Sequence, residues 1–181
     1  MASKPKVLGE GRFLRLVDDG GCEFVERSRG TGVVAIIAVT DDGRVLLTEQ
    51  FRPAVQAAVI DLPAGLAGDT DAFNGEDLST AAARELEEET GYAAQTWTRL
   101  ATVPTSPGLT SETVMLYLAE QVSRVGAGGG DAGEAITVHA VSLARIVTWL
   151  QQQQSNASKL IDPKVFAALW LWEHRLNQWV S

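Results

Sequence analysis

The first third of the chain alternates short apolar runs with turn-forming residues, which is typical of β structure. Strands are predicted at residues 12–17, 22–27, 33–39 and 44–50. Asp18-Asp19-Gly20-Gly21 and Asp41-Asp42-Gly43 stand between consecutive runs, and each predicts a hairpin turn. The third run is almost wholly apolar and β-branched, as expected of a strand that is buried on both faces.

Helical patterns dominate further along the chain. Residues 78–90 consist largely of Ala, Leu and Glu, which favour helix, with Asp77 as the predicted N-cap and Gly91 placed to end the helix. Two more helices are predicted, from residue 143 into 151–154 and from 164 to about 178, with further strands at 98–103, 113–120 and 135–141. The glycine run at 126–130 predicts a mobile loop. The expected fold class is α+β.

Composition and charge limit the possible partners. The 181 residues are 45% hydrophobic and 21% charged, as in a globular chain, and the net charge is −8. An acidic surface argues against general binding to nucleic acid or to anionic membranes. A single cysteine, Cys22, no secretory signal pattern and no membrane-length apolar run predict a soluble, cytoplasmic protein.

The acidic residues are concentrated in one segment. Nine acids and one arginine lie between Asp61 and Gly91, so this segment carries the whole net charge. On a helix that turns about 100° per residue, Glu85 and Glu89 lie at the edge of the apolar stripe, with Glu88 beside them. Unpaired carboxylates in that position destabilise a helix. A divalent cation such as Mg²⁺ or Mn²⁺ would remove the repulsion, so the pattern predicts a metal site.

The same helix carries a long motif. It reads Arg84-Glu85-Leu86-Glu87-Glu88-Glu89-Thr90-Gly91 and follows Glu76 after a spacer of seven residues. This resembles the Nudix box, which is Gly, five residues, Glu, seven residues, then Arg-Glu-aliphatic-any-Glu-Glu-any-Gly-aliphatic. Tyr92 replaces the last aliphatic residue, and Thr70 stands where the first glycine belongs. We assign that glycine to Gly65 of Leu62-Pro63-Ala64-Gly65, which implies five extra residues in the following loop.

The resemblance implies a fold and a metal site. The expected fold is a Nudix α/β/α sandwich with a mixed β-sheet, in which residues 31–181 form the Nudix domain. Residues 1–30 would be an N-terminal β extension that contributes to a homodimer interface. The resemblance implies that the ion is held by the side chains of Glu85, Glu88 and Glu89 and by the carbonyl of Ala64. Glu76 and Arg84 would support this site by ion pairing.

Flanking segments resemble the ADP-ribose pyrophosphatase branch of that family. Glu49-Gln50-Phe51-Arg52 implies that Arg52 contacts the substrate phosphates, and a guanidinium suits that contact. The Ser-Pro-Gly loop at 106–108 implies substrate contacts for Pro107 and Gly108. In the segment at 23–27, Phe24 is the candidate for stacking on adenine across the dimer and Arg27 for reaching a phosphate; a core aromatic and a solvated arginine are the alternatives.

Two later acids complete the expected site. Glu112 is a candidate for positioning a water or a metal. The acidic loop at 131–136 resembles the family loop that supplies a further metal ligand and the base, and Glu134 is the residue chosen from it. The general base stays open among Glu134, Glu112 and Asp131.

The resemblance implies Mg²⁺-dependent hydrolysis, with Mn²⁺ as a possible substitute, of a nucleoside diphosphate derivative. ADP-ribose giving AMP and ribose 5-phosphate is the first choice. GDP-mannose or another nucleotide sugar is the alternative within the enzyme class. A non-hydrolytic nucleotide-binding regulator on the same fold is the alternative outside it, although the intact box glutamates argue against that alternative.

Overall fold

The structure is a computed structural model that describes residues 5–68, 73, 75–130 and 133–174. These residues form eleven strands and three helices. The strands are β1 (Lys6–Glu10), β2 (Leu14–Asp19), β3 (Cys22–Arg27), β4 (Gly32–Thr40), β5 (Arg44–Arg52), β6 (Ala57–Asp61), β7 (Ala64–Ala67), β8 (Tyr92–Pro104), β9 (Thr113–Arg124), β10 (Thr137–Ser142) and β11 (Lys159–Ile161). The helices are α1 (Leu78–Thr90), α2 (Ile146–Gln154), which follows a 3₁₀ turn at Leu143–Arg145, and α3 (Pro163–His174).

The first three strands form a separate antiparallel sheet in the order β1-β2-β3. Asp19 pairs with Cys22 across the turn formed by Gly20 and Gly21, which have φ of 64° and 94°. A left-handed backbone at both positions favours glycine, and the predicted hairpin is confirmed. Strand β1, which the sequence pattern does not predict, extends this hairpin by pairing with β2.

The remaining eight strands form a mixed sheet in the order β11-β6-β5-β4-β9-β8. Strand β10 pairs with β5 and β7 pairs with β4, beside that path. Strands β4 and β9 are parallel, as are β6 and β11, and the other pairs are antiparallel. The predicted mixed sheet is confirmed.

Alternating residues of β4 divide the core into two layers. Ile36 packs in the layer that contains Ala82 and Leu86 of α1, whereas Ile37 packs in the layer that contains Leu150 of α2 and Val165 of α3. Both isoleucines are fully buried, so helices cover both faces of the sheet. The α/β/α sandwich is confirmed, and none of the helices in the described ranges is long and apolar enough to span a membrane.

The predicted helices agree closely with the structure. Helix α1 has the predicted bounds, and α2 begins one 3₁₀ turn after the predicted start. The predicted third helix runs to His174, and its last predicted turn lies outside the described residues. The predicted strand at 135–141 begins at Thr137 because β10 starts where pairing with Glu49 of β5 starts.

Candidate active site

The acids of α1 are held in place by the two ends of the helix and by its apolar stripe. The Asp77 carboxylate accepts hydrogen bonds from the backbone N–H of Ser79 at 2.9 Å and of Thr80 at 3.1 Å. The hydroxyls of the same two residues also donate to it, each at 2.6 Å, and these hydroxyl contacts are the main cause that lowers the Asp77 pKa. Gly91, at φ 75°, ends the helix in the left-handed conformation that favours glycine. Leu86 is fully buried, which fixes the rotation of the helix about its axis.

Because of that rotation, the glutamates of α1 differ in how deeply they are buried. Glu89 is 7% exposed, Glu85 is half-buried, and Glu87 and Glu88 are exposed. The helical pattern that places Glu85 and Glu89 at the core-facing edge is confirmed. The structure therefore directs two carboxylates from consecutive turns toward strand β7 and its preceding residues.

Arg84 links the acids of this region. Its guanidinium donates to both oxygens of Glu76 at 3.1 Å, to Glu85 Oε1 at 2.9 Å and to Glu88 Oε2 at 2.8 Å. It also donates to the Leu66 carbonyl at 3.0 Å. The hydrogen bond with Glu76 is the main cause that raises the Arg84 pKa. The structure thus brings Glu76 and Arg84 together in a two-pronged ion pair on the edge of the acidic group.

Glu89 is the most buried of the four glutamates of α1. Its Oε2 accepts a hydrogen bond from the backbone N–H of Ala64 at 3.0 Å. Burial raises the pKa of Glu89 to about 8, and the negative charges of Glu85, Glu134 and Asp61 act in the same direction. Within the described ranges, no lysine or arginine forms a salt bridge with Glu89. A buried carboxylate of this kind favours a cation.

Gly65 allows the helix acids to approach the backbone. A Cβ atom at this position would lie 2.0 Å from Cδ of Glu85 and 2.1 Å from its Oε1, far inside van der Waals contact. The Glu85 carboxylate therefore lies against the backbone where only glycine leaves room for it. This contact supports Gly65, rather than Thr70, as the glycine of the motif; Thr70 lies outside the described residues.

The acids line a cleft of about 350 Å³ that also contains cationic side chains. The predicted residues that line it are Arg27, Arg52, Ala64, Gly65, Arg84, Glu85, Glu88, Glu89 and Glu134. Side chains from β3, β5, α1 and the loop before β10 thus meet around one space. The arrangement can hold a hard cation on its carboxylates and a phosphate group on its arginines.

The family model for the NUDIX domain matches residues 29–162, which span the strands, the acidic helix and the cleft. The chain belongs to the Nudix family. It is therefore a Nudix hydrolase, and the motif on α1 is its Nudix box. Nudix hydrolases generally use divalent metal ions, which agrees with the acidic side of the cleft.

Relatives of this Nudix hydrolase are named for different functions. The methanol dehydrogenase activator of Bacillus methanolicus is 32% identical over 165 residues, covering 87% of this chain and 86% of that protein. The ADP-ribose pyrophosphatase of Bacillus subtilis is 41% identical over 92 residues, covering 51% of this chain and 47% of that protein. The ADP-ribose pyrophosphatase of Mycobacterium tuberculosis is 40% identical over 107 residues, covering 59% and 50%. The matches therefore span about half the length of the two pyrophosphatases.

A solved structure supports the fold. The crystal structure of an ADP compounds hydrolase superposes with a TM-score of 0.68 at 23% identity, covering 97% of this chain and 96% of that chain. This match shows the fold, and the pyrophosphatase relatives confirm the resemblance to the ADP-ribose pyrophosphatase branch.

Some predicted site residues do not line the cleft. Glu112 accepts a hydrogen bond from Nε of Arg27 at 2.5 Å, so its carboxylate is engaged at the edge of β3. Phe24 is half-buried in β3, and Pro107 and Gly108 are exposed on the loop before β9. Of the three candidates for the general base, Glu134 lines the cleft and Glu112 does not. The third, Asp131, lies outside the described residues.

The glycine run at 126–130, which the sequence predicts to be a mobile loop, packs against the Nudix helix through its backbone. Gly129 N–H donates to the Glu89 carbonyl at 2.7 Å, and Gly130 N–H donates to the Glu88 carbonyl at 3.0 Å. A Cβ atom at Gly128 would lie 2.3 Å from the Thr90 carbonyl carbon. Glycine is needed here for close backbone packing, and the contact satisfies carbonyls at the end of α1.

The present side-chain arrangement engages two of the expected metal ligands with Arg84. Among the described residues, no three His, Cys, Asp or Glu side chains meet as a group that could hold a metal ion. One nitrogen of Arg84 lies 2.9 Å from the carboxylate of Glu85 and 2.8 Å from that of Glu88. The donor chemistry nevertheless fits a hard divalent cation, since the carboxylates of Glu85, Glu88 and Glu134 line the same cleft as the buried Glu89.

Sequence reasoning does not assign three further residues that line the cleft: Gln50, Leu66 and Phe73. Gln50 lies within the segment that contains Arg52 and could have been included on that ground. Leu66 contributes a backbone carbonyl to Arg84, which no side-chain pattern reports. The Phe73 ring lies 4.3 Å from the Arg84 guanidinium carbon, a cation–π contact from within the extended loop that the motif does not contain.

Replacing Gly65 with alanine is expected to reduce hydrolysis by about tenfold while the fold is retained. The new methyl group displaces the Glu85 carboxylate, which is the end of a flexible side chain, and small displacements of site groups are costly for rate. The measurement is kcat together with a thermal melt. Gly9→Ala is the control, because a Cβ atom at Gly9 meets no atom within 4 Å. Wild-type kcat in Gly65→Ala would contradict the role assigned to this contact.

Proposed function

We propose that this Nudix hydrolase cleaves the pyrophosphate bond of a nucleoside diphosphate derivative, with ADP-ribose giving AMP and ribose 5-phosphate. The observation that carries the proposal is the shared cleft, in which the buried Glu89 lies among other acids beside Arg27 and Arg52. Acids alone would suit a cation site, and arginines alone would suit an anion site. Their combination suits a diphosphate that is bound together with a divalent cation. The ADP-ribose pyrophosphatases among the relatives support the choice of substrate.

The residues that would hold Mg²⁺, or Mn²⁺ in its place, are the side chains of Glu85, Glu88, Glu89 and Glu134 with the carbonyl of Ala64. The cation would supply charge neutralisation of the diphosphate and a water of lowered pKa. Arg84, anchored by Glu76, contacts both Glu85 and Glu88 and so keeps their carboxylates close together.

The remaining chemistry is assigned to the chain's own side chains. Arg52 and Arg27 bind and orient the phosphates, because a guanidinium can donate two hydrogen bonds to one phosphate. Glu134 takes the proton of the attacking water, since it lines the cleft whereas Glu112 does not. Attack at phosphorus then breaks the pyrophosphate bond, and the two phosphate products leave the cleft.

A homodimer in the cytoplasm completes the proposal. Residues 1–30 would contribute to the interface, next to a Nudix domain over 31–181. The support is a group of exposed apolar side chains on and beside the N-terminal sheet: Val7, Leu8, Phe13, Leu14 and Leu16. In such a dimer Phe24 would stack on adenine, and Pro107 and Gly108 would contact the substrate near the interface.

A second candidate is activation of a methanol dehydrogenase. Its support is the similarity to the methanol dehydrogenase activator, which extends over 87% of this chain. This candidate does not require loss of hydrolysis, because the acids of the Nudix box are all present.

The test is to incubate the purified protein with Mg²⁺ and ADP-ribose, GDP-mannose or other nucleoside diphosphate derivatives, and to separate the products by chromatography. We expect AMP and ribose 5-phosphate from ADP-ribose, and no products when EDTA removes the metal. Faster hydrolysis of GDP-mannose would assign the enzyme to nucleotide sugars. Nucleotide binding without hydrolysis of any substrate would support a regulator and contradict the proposed reaction.

A further inference from the structure

A buried ion pair lies behind the cleft and outside the Nudix box. Lys164, in the first turn of α3, places its Nζ 3.1 Å from Oδ2 of Asp61 at the end of β6 and 2.7 Å from Oδ2 of Asp162. The side chains of Lys164 and Asp61 are only 15% and 11% exposed. Charges in such positions are costly unless they are paired, so the two residues depend on each other.

The other oxygen of Asp61 holds the backbone that leads to the cleft. Asp61 Oδ1 accepts a hydrogen bond from the Leu62 N–H at 2.8 Å. The hydroxyl of Thr48 donates to the Leu62 carbonyl at 3.3 Å, and the Ile36 N–H donates to the Pro63 carbonyl at 2.9 Å. The segment from 61 to 63 is therefore fixed at successive atoms by neighbours from β4, β5 and α3.

The next residue of this segment touches the acidic helix directly. The Ala64 N–H is the hydrogen-bond donor to Glu89 Oε2, at 3.0 Å. A continuous series of contacts thus runs from Lys164 through Asp61 and the 62–64 backbone to the most buried carboxylate of the cleft. Lys164 also supplies the opposite charge that balances Asp61, whose negative charge otherwise acts on Glu89.

We propose that Lys164 is a positioning residue that sets the place of the Glu89 carboxylate by fixing Asp61 and the backbone that ends at Ala64. The inference rests on the proposed function of the cleft as a divalent-cation site. It assigns to α3 a role in metal binding, although none of its described residues lines the cleft.

The experiment compares Lys164→Met with two matched variants. Lys164→Arg restores a cation, and Asp162→Asn removes the other carboxylate partner of the same lysine while leaving its Asp61 contact. Mn²⁺ binding is measured directly by titration calorimetry, and kcat and KM for ADP-ribose are measured well below the melting temperature. We expect Lys164→Met to bind Mn²⁺ about tenfold more weakly and to lose kcat with little change in KM, as is typical when a group that orients a metal ligand is removed. Lys164→Arg should recover most of both quantities, and Asp162→Asn should stay within about twofold of wild type.

Other results would contradict the role of Lys164, the proposed reaction, or both. A folded Lys164→Met protein with wild-type Mn²⁺ affinity overturns the inference, and so does an equal loss in Asp162→Asn. If Lys164→Met does not fold, Asp61→Asn, which removes the ion pair but keeps an oxygen for the Leu62 N–H, must show the same loss of Mn²⁺ affinity. Wild-type protein that binds Mn²⁺ without hydrolysing ADP-ribose contradicts the proposed reaction alone, because the Mn²⁺ titration still tests Lys164. Wild-type protein that binds no Mn²⁺ contradicts both.

Discussion

Replacing Glu89 with glutamine is expected to reduce the Mg²⁺-dependent hydrolysis of ADP-ribose at least about 100-fold. Glutamine keeps the shape of the side chain and an oxygen that can accept the Ala64 N–H, but it removes the charge that a cation needs. The stabilisation that a bound metal gives to the reacting phosphate is worth several kcal/mol, and each 1.4 kcal/mol corresponds to about tenfold in rate. The measurement is kcat/KM from the release of AMP.

Glu87→Gln is the matched control for this substitution. Glu87 lies on the same helix two residues earlier, has the same side chain and is exposed, so its loss should change kcat/KM by less than about twofold. The comparison separates a local role of Glu89 from a general effect of lowering the negative charge of α1. Near-normal hydrolysis by Glu89→Gln, or an equal loss in both variants, would contradict the assignment of Glu89 to the metal site.

The parts of the fold that sequence predicts are those in which local chemistry and packing agree. Helix α1 has a capping aspartate, a terminal glycine and an apolar stripe, and its bounds match the prediction. Strand β4 is apolar from Val33 to Val39, as suits a strand with helices on both of its faces. Strand β7, in contrast, consists of four small or apolar residues, Ala64–Ala67, with weak intrinsic preference for a strand. It is a strand because it pairs with β4, and a pairing between distant segments leaves no local pattern.

The residues of the site likewise differ in whether a local sequence pattern predicts them. Glu85, Glu88 and Glu89 are recognisable because their spacing on one helix is itself the signal. The contacts of Lys164 with Asp61, and of Phe73 with Arg84, depend on tertiary packing and carry no such spacing. Composition alone does not predict the structural role of the glycine run at 126–130, because glycine is favoured both in flexible linkers and in tight backbone contacts. Only the partner, here the end of α1, distinguishes the two uses.

The metal-free protein is expected to lose stability, relative to Glu89→Gln, as the pH rises from about 5 to about 8. In the unfolded chain a glutamate has a pKa near 4.5, whereas burial raises the pKa of Glu89 in the folded protein to about 8. Between these values the folded state holds a proton that the unfolded state has lost. The stabilisation is therefore complete below the unfolded pKa and is lost as the pH rises toward the folded one. The full difference is worth at most about 5 kcal/mol, since a tenfold change in proton affinity is worth about 1.4 kcal/mol.

Chemical unfolding of wild type and Glu89→Gln in EDTA, at several pH values from 5.5 to 8.5, measures this difference directly. The variant has no proton to lose at this position, so wild type should be the less stable protein by only about 1 kcal/mol at pH 5.5 and by a larger margin at pH 8.5. Added Mg²⁺ should then stabilise wild type more at pH 8.5 than at pH 5.5, because a cation and a proton compete for the same carboxylate. The variant should gain much less at either pH. Parallel curves for the two proteins would mean that Glu89 stays ionised in the folded chain, and would remove the electrostatic reason for a cation beside it.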